Sequence, residues 1–191
     1  MIIVEQYNYG GNFIHLALTR KLMAATRVLR KRNWTDAQLI AGGFRYFEPR
    51  KRLVMARVIS TVTNIELTLE TLMADAGDII CYTPGDHRKN TVNDYEHWPV
   101  AKELFKNTYK QWDDGSWRPN PAEAHLMEHG CLPYFKSTGV WALRLPISIY
   151  VQSLESPEPA VVPRGRWLCI GSEGEPYNMN DEQINARYVV T

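Results

Sequence analysis

The sequence predicts an α+β fold built from two tandemly duplicated small units. Each is a mostly antiparallel sheet with short helices, and a basic amphipathic helix precedes them. Three observations predict it. Sliding the chain against itself by 88 residues sets Tyr46-Phe47 on Tyr134-Phe135, Gly42 on Gly130 and Gly77 to Cys81 on Gly165 to Cys169. With one residue taken from the following turn, Leu53 to Arg57 falls on Val140 to Arg144. Short β-branched and aromatic runs, bounded by Gly and Pro, recur in both stretches.

Residues 1–33 hold a short strand and then a helix, His15 to Arg32, with Leu18, Leu22, Ala25 and Leu29 at i, i+4, i+7 and i+11. The first unit, 34–110, opens with a short helix capped by Thr35 and closed at Gly42. Strands at 44–47, 53–60 and 78–82 follow, then a hairpin with Pro84-Gly85-Asp86 at its tip and a closing helix over 101–108. The second unit, 121–190, repeats the plan. It has a helix from Asn120-Pro121 to Gly130, strands at 132–135, 140–147 and 166–170, a turn at Ser172-Glu173-Gly174, and a helix over 180–187. The matched units predict that the two copies superpose and pack as one body, with the 111–120 segment as linker.

Composition excludes several classes. Apolar residues make up 45% and charged residues 23%, a globular balance. No apolar run reaches the ~18 residues of a membrane span. Three cysteines, Cys81, Cys131 and Cys169, suit a reducing cytoplasm better than a disulfide framework. No secretory signal, phosphate-binding glycine loop, C-x-x-C pair or nucleophile elbow is present, and neither a cofactor nor a membrane partner is expected.

The net charge of +1 hides a split. Residues 1–57 carry eleven Lys or Arg against three Asp or Glu, a net of +8, and residues 58–191 carry −7. A basic half points to an anionic partner, a nucleic acid or a nucleotide. The residues that would contact it are Arg20, Arg27 and Lys31 on the N-terminal helix and the run Arg50, Lys51, Arg52. Reversing the charge of that run is expected to abolish binding and to leave stability nearly unchanged.

His125-Leu126-Met127-Glu128-His129 matches H-x-x-E-H, a spacing that sets two histidines on one helix face to hold zinc. The helix is only two turns long, lacks an evident third ligand and aligns with Ala37 to Ala41, so it reads as structural and no metal is expected. Cys81 and Cys169 sit among apolar strand neighbours and read as small hydrophobes. The hairpin from Thr83 to His97 is nine residues longer than its counterpart. Length beyond what closure needs marks a candidate loop, with Asp86, His87, Tyr95, His97 and Trp98 as its chemistry-bearing residues. Six Trp and ten Tyr, several in hairpins and linker, offer stacking surfaces.

Gly77-Asp78-Ile79-Ile80-Cys81-Tyr82-Thr83-Pro84-Gly85-Asp86, followed by Trp98-Pro99-Val100 and Leu104 to Tyr109, resembles small bacterial and phage proteins of the PGDYG type. In that family a strand ends in Pro-Gly-Asp, a hairpin follows, and a short helix closes on a Tyr. His87-Arg88 stand here in place of Tyr-Gly. The resemblance implies a phage or prophage type of protein with no assigned activity. Three functions compete on these grounds. The favoured one is a non-enzymatic binding protein for an anionic partner. The others are an enzyme with its site on the 83–97 loop and an assembly component of a phage particle, self-associating into a homo-oligomer.

Overall fold

The computed structural model describes residues 28–66 and 69–189. Four short helices, α1 (Asp36–Ala41), α2 (Lys102–Thr108), α3 (Pro121–Glu128) and α4 (Asp181–Arg187), alternate with fourteen strands among the described residues. The strands of the first half are β1 (Arg45–Pro49), β2 (Val54–Val58), β3 (Thr63–Glu66), β4 (Thr71–Ala74), β5 (Ile79–Thr83), β6 (Glu96–Val100) and β7 (Tyr109–Gln111). Those of the second are β8 (Leu132–Lys136), β9 (Val140–Arg144), β10 (Ile149–Val151), β11 (Ala160–Val162), β12 (Trp167–Ile170), β13 (Pro176–Met179) and β14 (Tyr188–Val189).

Local chemistry sets the helix starts. The Thr35 hydroxyl accepts the Gln38 N–H and the Gln38 side chain accepts the Thr35 N–H, a reciprocal capping box. Asn120 and Asn180 cap α3 and α4 the same way, against Glu123 and Gln183. The first turn of α3 is further preset by Pro121. Past the ends of α1 and α3 the chain reverses through Gly43 (φ 83°) and Gly130 (φ 82°), a conformation that penalises any Cβ. The reversals then share a bond: Phe44 N–H to Leu39 O and Cys131 N–H to Leu126 O.

Two five-stranded antiparallel sheets dominate, ordered β6-β5-β2-β8-β7 and β13-β12-β9-β1-β14. Hairpins β3-β4 and β10-β11 stand apart from them. The sheets are not one per half. Strand β1 pairs with β9 of the second half (Phe47 opposite Val140), and β8 pairs with β2 of the first (Tyr134 opposite Val54). Each half therefore lends its first strand to the other's sheet, which corrects the expectation of a self-contained sheet per unit. Other bonds recur between halves: Gly77 N–H to Ile59 O and Gly165 N–H to Leu145 O, then Ser137 N–H to Thr108 O and Arg50 N–H to Arg187 O.

Register also corrects the identity-based match. Cys81 lies opposite Ala56 and Cys169 opposite Ala142, so Ala56, not Met55, takes the place of Ala142. Along β1 and β8 the corresponding residues are Phe47 and Tyr134, not Phe47 and Phe135. A one-residue slip turns every side chain to the opposite face. Phe47 is accordingly buried, while Tyr46, matched by identity to Tyr134, stands 45% exposed.

Each sheet is apolar on both faces. One face of the first sheet packs Met55, Tyr82 and Ile80 against Leu126 of α3 and the β3-β4 hairpin. Its other face packs Ala56, Cys81 and Val100 on Leu104 and Phe105 of α2. The second sheet repeats this with Leu168 and Ile170 toward Leu39 of α1 and the β10-β11 hairpin, and with Cys169, Val140 and Phe47 toward Ile184 of α4. In α2 the buried residues Leu104 and Thr108 stand at i and i+4 with Phe105 flanking them, and in α4 Ile184 alone is buried.

Most of the expected N-terminal helix lies outside the described residues. Its last part is not helical: Leu29 bridges to Val151 as an added strand, with Leu29 N–H to Tyr150 O and Gln152 N–H to Leu29 O. Arg32 N–H then reaches Gly174 O. Free strand edge at β10 competes with helical period there and supplies the backbone bonds instead. Strand β2 ends at Val58 and β9 at Arg144, short of the expected 60 and 147, because the chain turns into hairpins β3-β4 and β10-β11. No helix among the described residues is long and apolar enough to cross a membrane.

Candidate functional site

A cavity of about 650 Å³ opens between edge strand β6 of one sheet and edge strand β13 of the other. Helix α4 and the β3-β4 hairpin complete its walls. That volume is in the range of small-molecule sites. Both halves contribute, so the site exists only in the assembled chain.

On the inner face, Lys136 at the end of β8 lies over the rings of Tyr177 and Tyr188, 5.5 and 5.6 Å from their centroids. Its ammonium donates a long bond, 3.4 Å, to the Tyr177 hydroxyl. Aromatic faces hold a cation without neutralising it, and Lys136 forms no ion pair among the described residues. Tyr177 and Tyr188 share a hydroxyl contact at 3.3 Å. Burial, then the neighbouring Tyr188, pushes the Tyr177 hydroxyl well above its usual range. Nearby, Arg187 pairs with Glu96 at 2.8 Å and sits 4.2 Å from the Trp98 ring.

On the outer face of β13 a polar chain runs between elements distant in sequence. Arg166 Nε donates to Asn178 Oδ1 at 2.9 Å, and Asn178 Nδ2 donates to Glu70 Oε1 at 3.5 Å. The Ser153 hydroxyl reaches Glu70 Oε2, also at 3.5 Å. Arg166 too has no ion pair among the described residues. Desolvation lowers its guanidinium pKa and raises that of the Glu70 carboxyl. Glu155 accepts the Ala101 N–H at 3.3 Å, and burial lifts its pKa to about 7. Glu175, 5% exposed, accepts the Glu173 N–H at 2.9 Å and is raised chiefly by burial. It lies across the space a Cβ would take at Gly171, so a larger residue there must displace this buried side chain.

The basic residues named from sequence do not form one surface. Arg20 and Arg27 lie outside the described residues. Lys31 pairs with Glu173 at 3.1 Å. Arg50 Nε donates to Asn185 O at 3.1 Å and Tyr188 O at 2.8 Å, and Arg52 donates to Ala186 O at 2.8 Å. The two arginines thus satisfy the last carbonyls of α4, the orphan acceptors of any helix end. In the other half the Ser137 hydroxyl takes the same place, donating to Thr108 O at the end of α2. Lys51 turns away to Asp113 and to the rings of Trp112 and Phe135. Arg50 and Arg52 also line the cavity, each with one nitrogen committed to the end of α4.

The loop candidates divide. Asp86 and His87 are exposed at the hairpin tip and do not line the cavity. Tyr95 is buried; its hydroxyl accepts the Lys89 N–H at 2.9 Å and meets His125 Nδ1 at 3.1 Å. His97 donates from Nδ1 to Tyr95 O at 2.8 Å, and with Trp98 it reaches the cavity wall. The H-x-x-E-H residues serve the same hairpin. Besides His125 on Tyr95, Glu128 pairs with Arg88 at 3.2 Å and His129 donates to His125 O at 2.8 Å. Burial, then Arg88 and His129, lowers the His125 pKa. Among the described residues no group of three or more His, Cys, Asp or Glu could hold a metal ion. The cysteines are buried thiols, with Cys131 pushed up to about 11 and Cys169 to about 12 by desolvation.

Sequence reasoning missed Lys136, Arg166, Glu70, Asn178 and Glu155 altogether. Each stands alone in sequence, and Asn178 meets Glu70 across 108 residues. No protein-family model, curated protein or solved structure matches the chain.

Proposed function

We propose that the protein is a non-enzymatic binding protein of phage or prophage type whose anion-bearing partner enters the inter-sheet cavity. One observation carries the reading: four of the cations that line that cavity, Lys136, Arg166, Arg50 and Arg52, form no ion pair among the described residues. Of the Lys136 ammonium's three donors one is spent, and each of the three guanidiniums bonds through one nitrogen only. Lys51, the middle residue of the Arg50-Lys51-Arg52 run, is taken by Asp113. Between the two anionic partners named from sequence, a cavity of this size suits a nucleotide. The phage or prophage attribution rests on the PGDYG-type resemblance.

We also infer that the chain arose by tandem duplication with exchange of the first strands. The supporting observation is the recurrence of matched backbone bonds at Phe44 and Cys131, Gly77 and Gly165, and Arg50 and Ser137.

Calorimetric titration of the full chain with pyrophosphate and nucleoside diphosphates tests the binding reading. Binding that weakens with salt, and is lost in Lys136→Met, is expected. Binding that survives Lys136→Met and Arg166→Met but fails in Lys51→Glu returns the partner to the basic run and refutes the cavity.

A further inference from the structure

The outer wall of the cavity presents a donor beside an acceptor, joined through one side chain. Arg166 keeps four N–H donors after its bond to Asn178. Glu70 is an acceptor whose bonds from Asn178 and Ser153 are both 3.5 Å, long enough to be exchanged for shorter ones, and Ser156 lies beside it as a third donor. Asn178 spans the pair, so the guanidinium and the carboxylate stand one amide apart. Neither has an opposite charge paired with it among the described residues.

A ligand edge that satisfies this array needs an acceptor next to N–H donors. Guanine has that edge: O6 accepts, and N1–H and N2–H₂ donate side by side. Uracil alternates acceptor, donor, acceptor and would face the carboxylate with an oxygen. Adenine lacks the adjacent donor pair. Carboxylates accept from nucleobase amino groups and arginine donates to O6 and N7 in known base recognition.

The cavity has a second pole. Tyr177 precedes Asn178 on β13 and so points to the other face. Its hydroxyl meets Lys136, whose remaining donors are free for phosphate oxygens. Strand β13 is a sheet edge, and the cavity passes around it. A phosphate chain can run past that edge from one pole to the other. Tyr177, Tyr188 and Trp98 supply apolar wall between.

We propose that the cavity ligand is a guanine nucleotide, with its base edge on Arg166 and Glu70 and its phosphates toward Lys136. This rests on the reading of the cavity as an anion site and names its ligand class.

The test is titration of the full chain with GDP, IDP, UDP and pyrophosphate at fixed salt. GDP is expected to bind about tenfold or more tightly than UDP. IDP, which lacks only the N2 amino group, falls between them. Glu70→Gln turns an acceptor into a donor at the critical point, and is expected to bring GDP to within about threefold of UDP, by weakening GDP and by relieving the contact between the carboxylate and a uracil oxygen. The IDP comparison needs no variant, so it stands even where Glu70→Gln fails to fold. Equal binding of GDP, IDP and UDP overturns the guanine assignment and leaves the anion site intact. Tighter binding of UDP does the same. No binding of any probe, pyrophosphate included, overturns the cavity reading itself.

Discussion

Removing the two arginines that close α4 should destabilise the protein, although both are exposed and belong to a run that reads as a binding patch. Arg50 Nε serves the carbonyls of Asn185 and Tyr188, and Arg52 serves that of Ala186. Hydrogen bonds from a charged donor contribute about 1.5–3 kcal/mol, and competition from water at an exposed helix end brings this to roughly 1 kcal/mol each. The Arg50→Ala/Arg52→Ala pair should therefore cost about 2 kcal/mol. For a chain of 191 residues that is a fall in Tm of about 4–8 °C. Lys51 is the internal control. Its partner Asp113 is as exposed as it is, and such pairs contribute under about 1 kcal/mol. Thermal melts by circular dichroism at low and high salt measure all three. The carbonyl contacts should persist in salt while any Lys51 effect fades. If the double variant melts within about 1 °C of the parent, or Lys51→Ala costs as much, the arginines do not hold α4. The expectation that charge reversal there leaves stability nearly unchanged would then stand.

Three other outcomes follow from particular contacts. Gly171→Ala should cost roughly 1–3 kcal/mol, read by urea unfolding, because its Cβ would meet the buried Glu175 carboxylate; Gly115→Ala, with open space around it, should be near neutral. His125 has a pKa below its usual value in the fold, so the unfolded chain takes up its proton first and stability is lost as pH falls below about 6.5. Protection factors of amides in the 84–95 segment, taken against the intrinsic exchange rate at each pH, should fall over that range, and His125→Gln should remove the fall; protection factors that are flat with pH in the parent contradict it. Glu155 is raised to about 7 against about 4.5 unfolded, so its contribution is fully present below pH 4.5 and is lost as pH rises through 7. Glu155→Gln should flatten that part of the stability profile, by up to about 3 kcal/mol between pH 5 and 8.

What could be read in the sequence was local. Thr35, Asn120 and Pro121 mark helix starts through bonds made within three residues, and Gly130 ends a helix through a φ only glycine adopts easily. The 83–97 hairpin was legible for the same reason. Pairing was not. Identical dipeptides, Tyr46-Phe47 and Tyr134-Phe135, gave a register one residue out, since period-2 strands carry similar residues on both faces when both are buried. Hairpins β3-β4 and β10-β11 had no strong signal: Thr63-Asn64-Ile65-Glu66 alternates over only four residues. The structural part played by the basic run was not legible, because the helix end that Arg50 serves lies 135 residues away. Charge in sequence shows that an acceptor is needed, and only the fold shows whether the chain supplies it.

The placement of β1 and β8 in opposite sheets bears directly on the cavity. Lys136 belongs to the second half but ends β8, a strand of the first half's sheet. Had β8 stayed with β9, that lysine would lie in the sheet of Tyr177 and Tyr188 instead of facing them from the opposite one. Across the gap it sits over both rings, with the Glu175 carboxylate near enough to feel its charge. The reciprocal strand β1 ends instead in Pro49, opposite Tyr188, and brings Arg50 to the end of α4. One strand end thus delivers a lysine bonded to the Tyr177 hydroxyl, and the other delivers an arginine whose Nε closes a helix. Both cations line the cavity, and the terminal residues of the two strands decide which partner each meets.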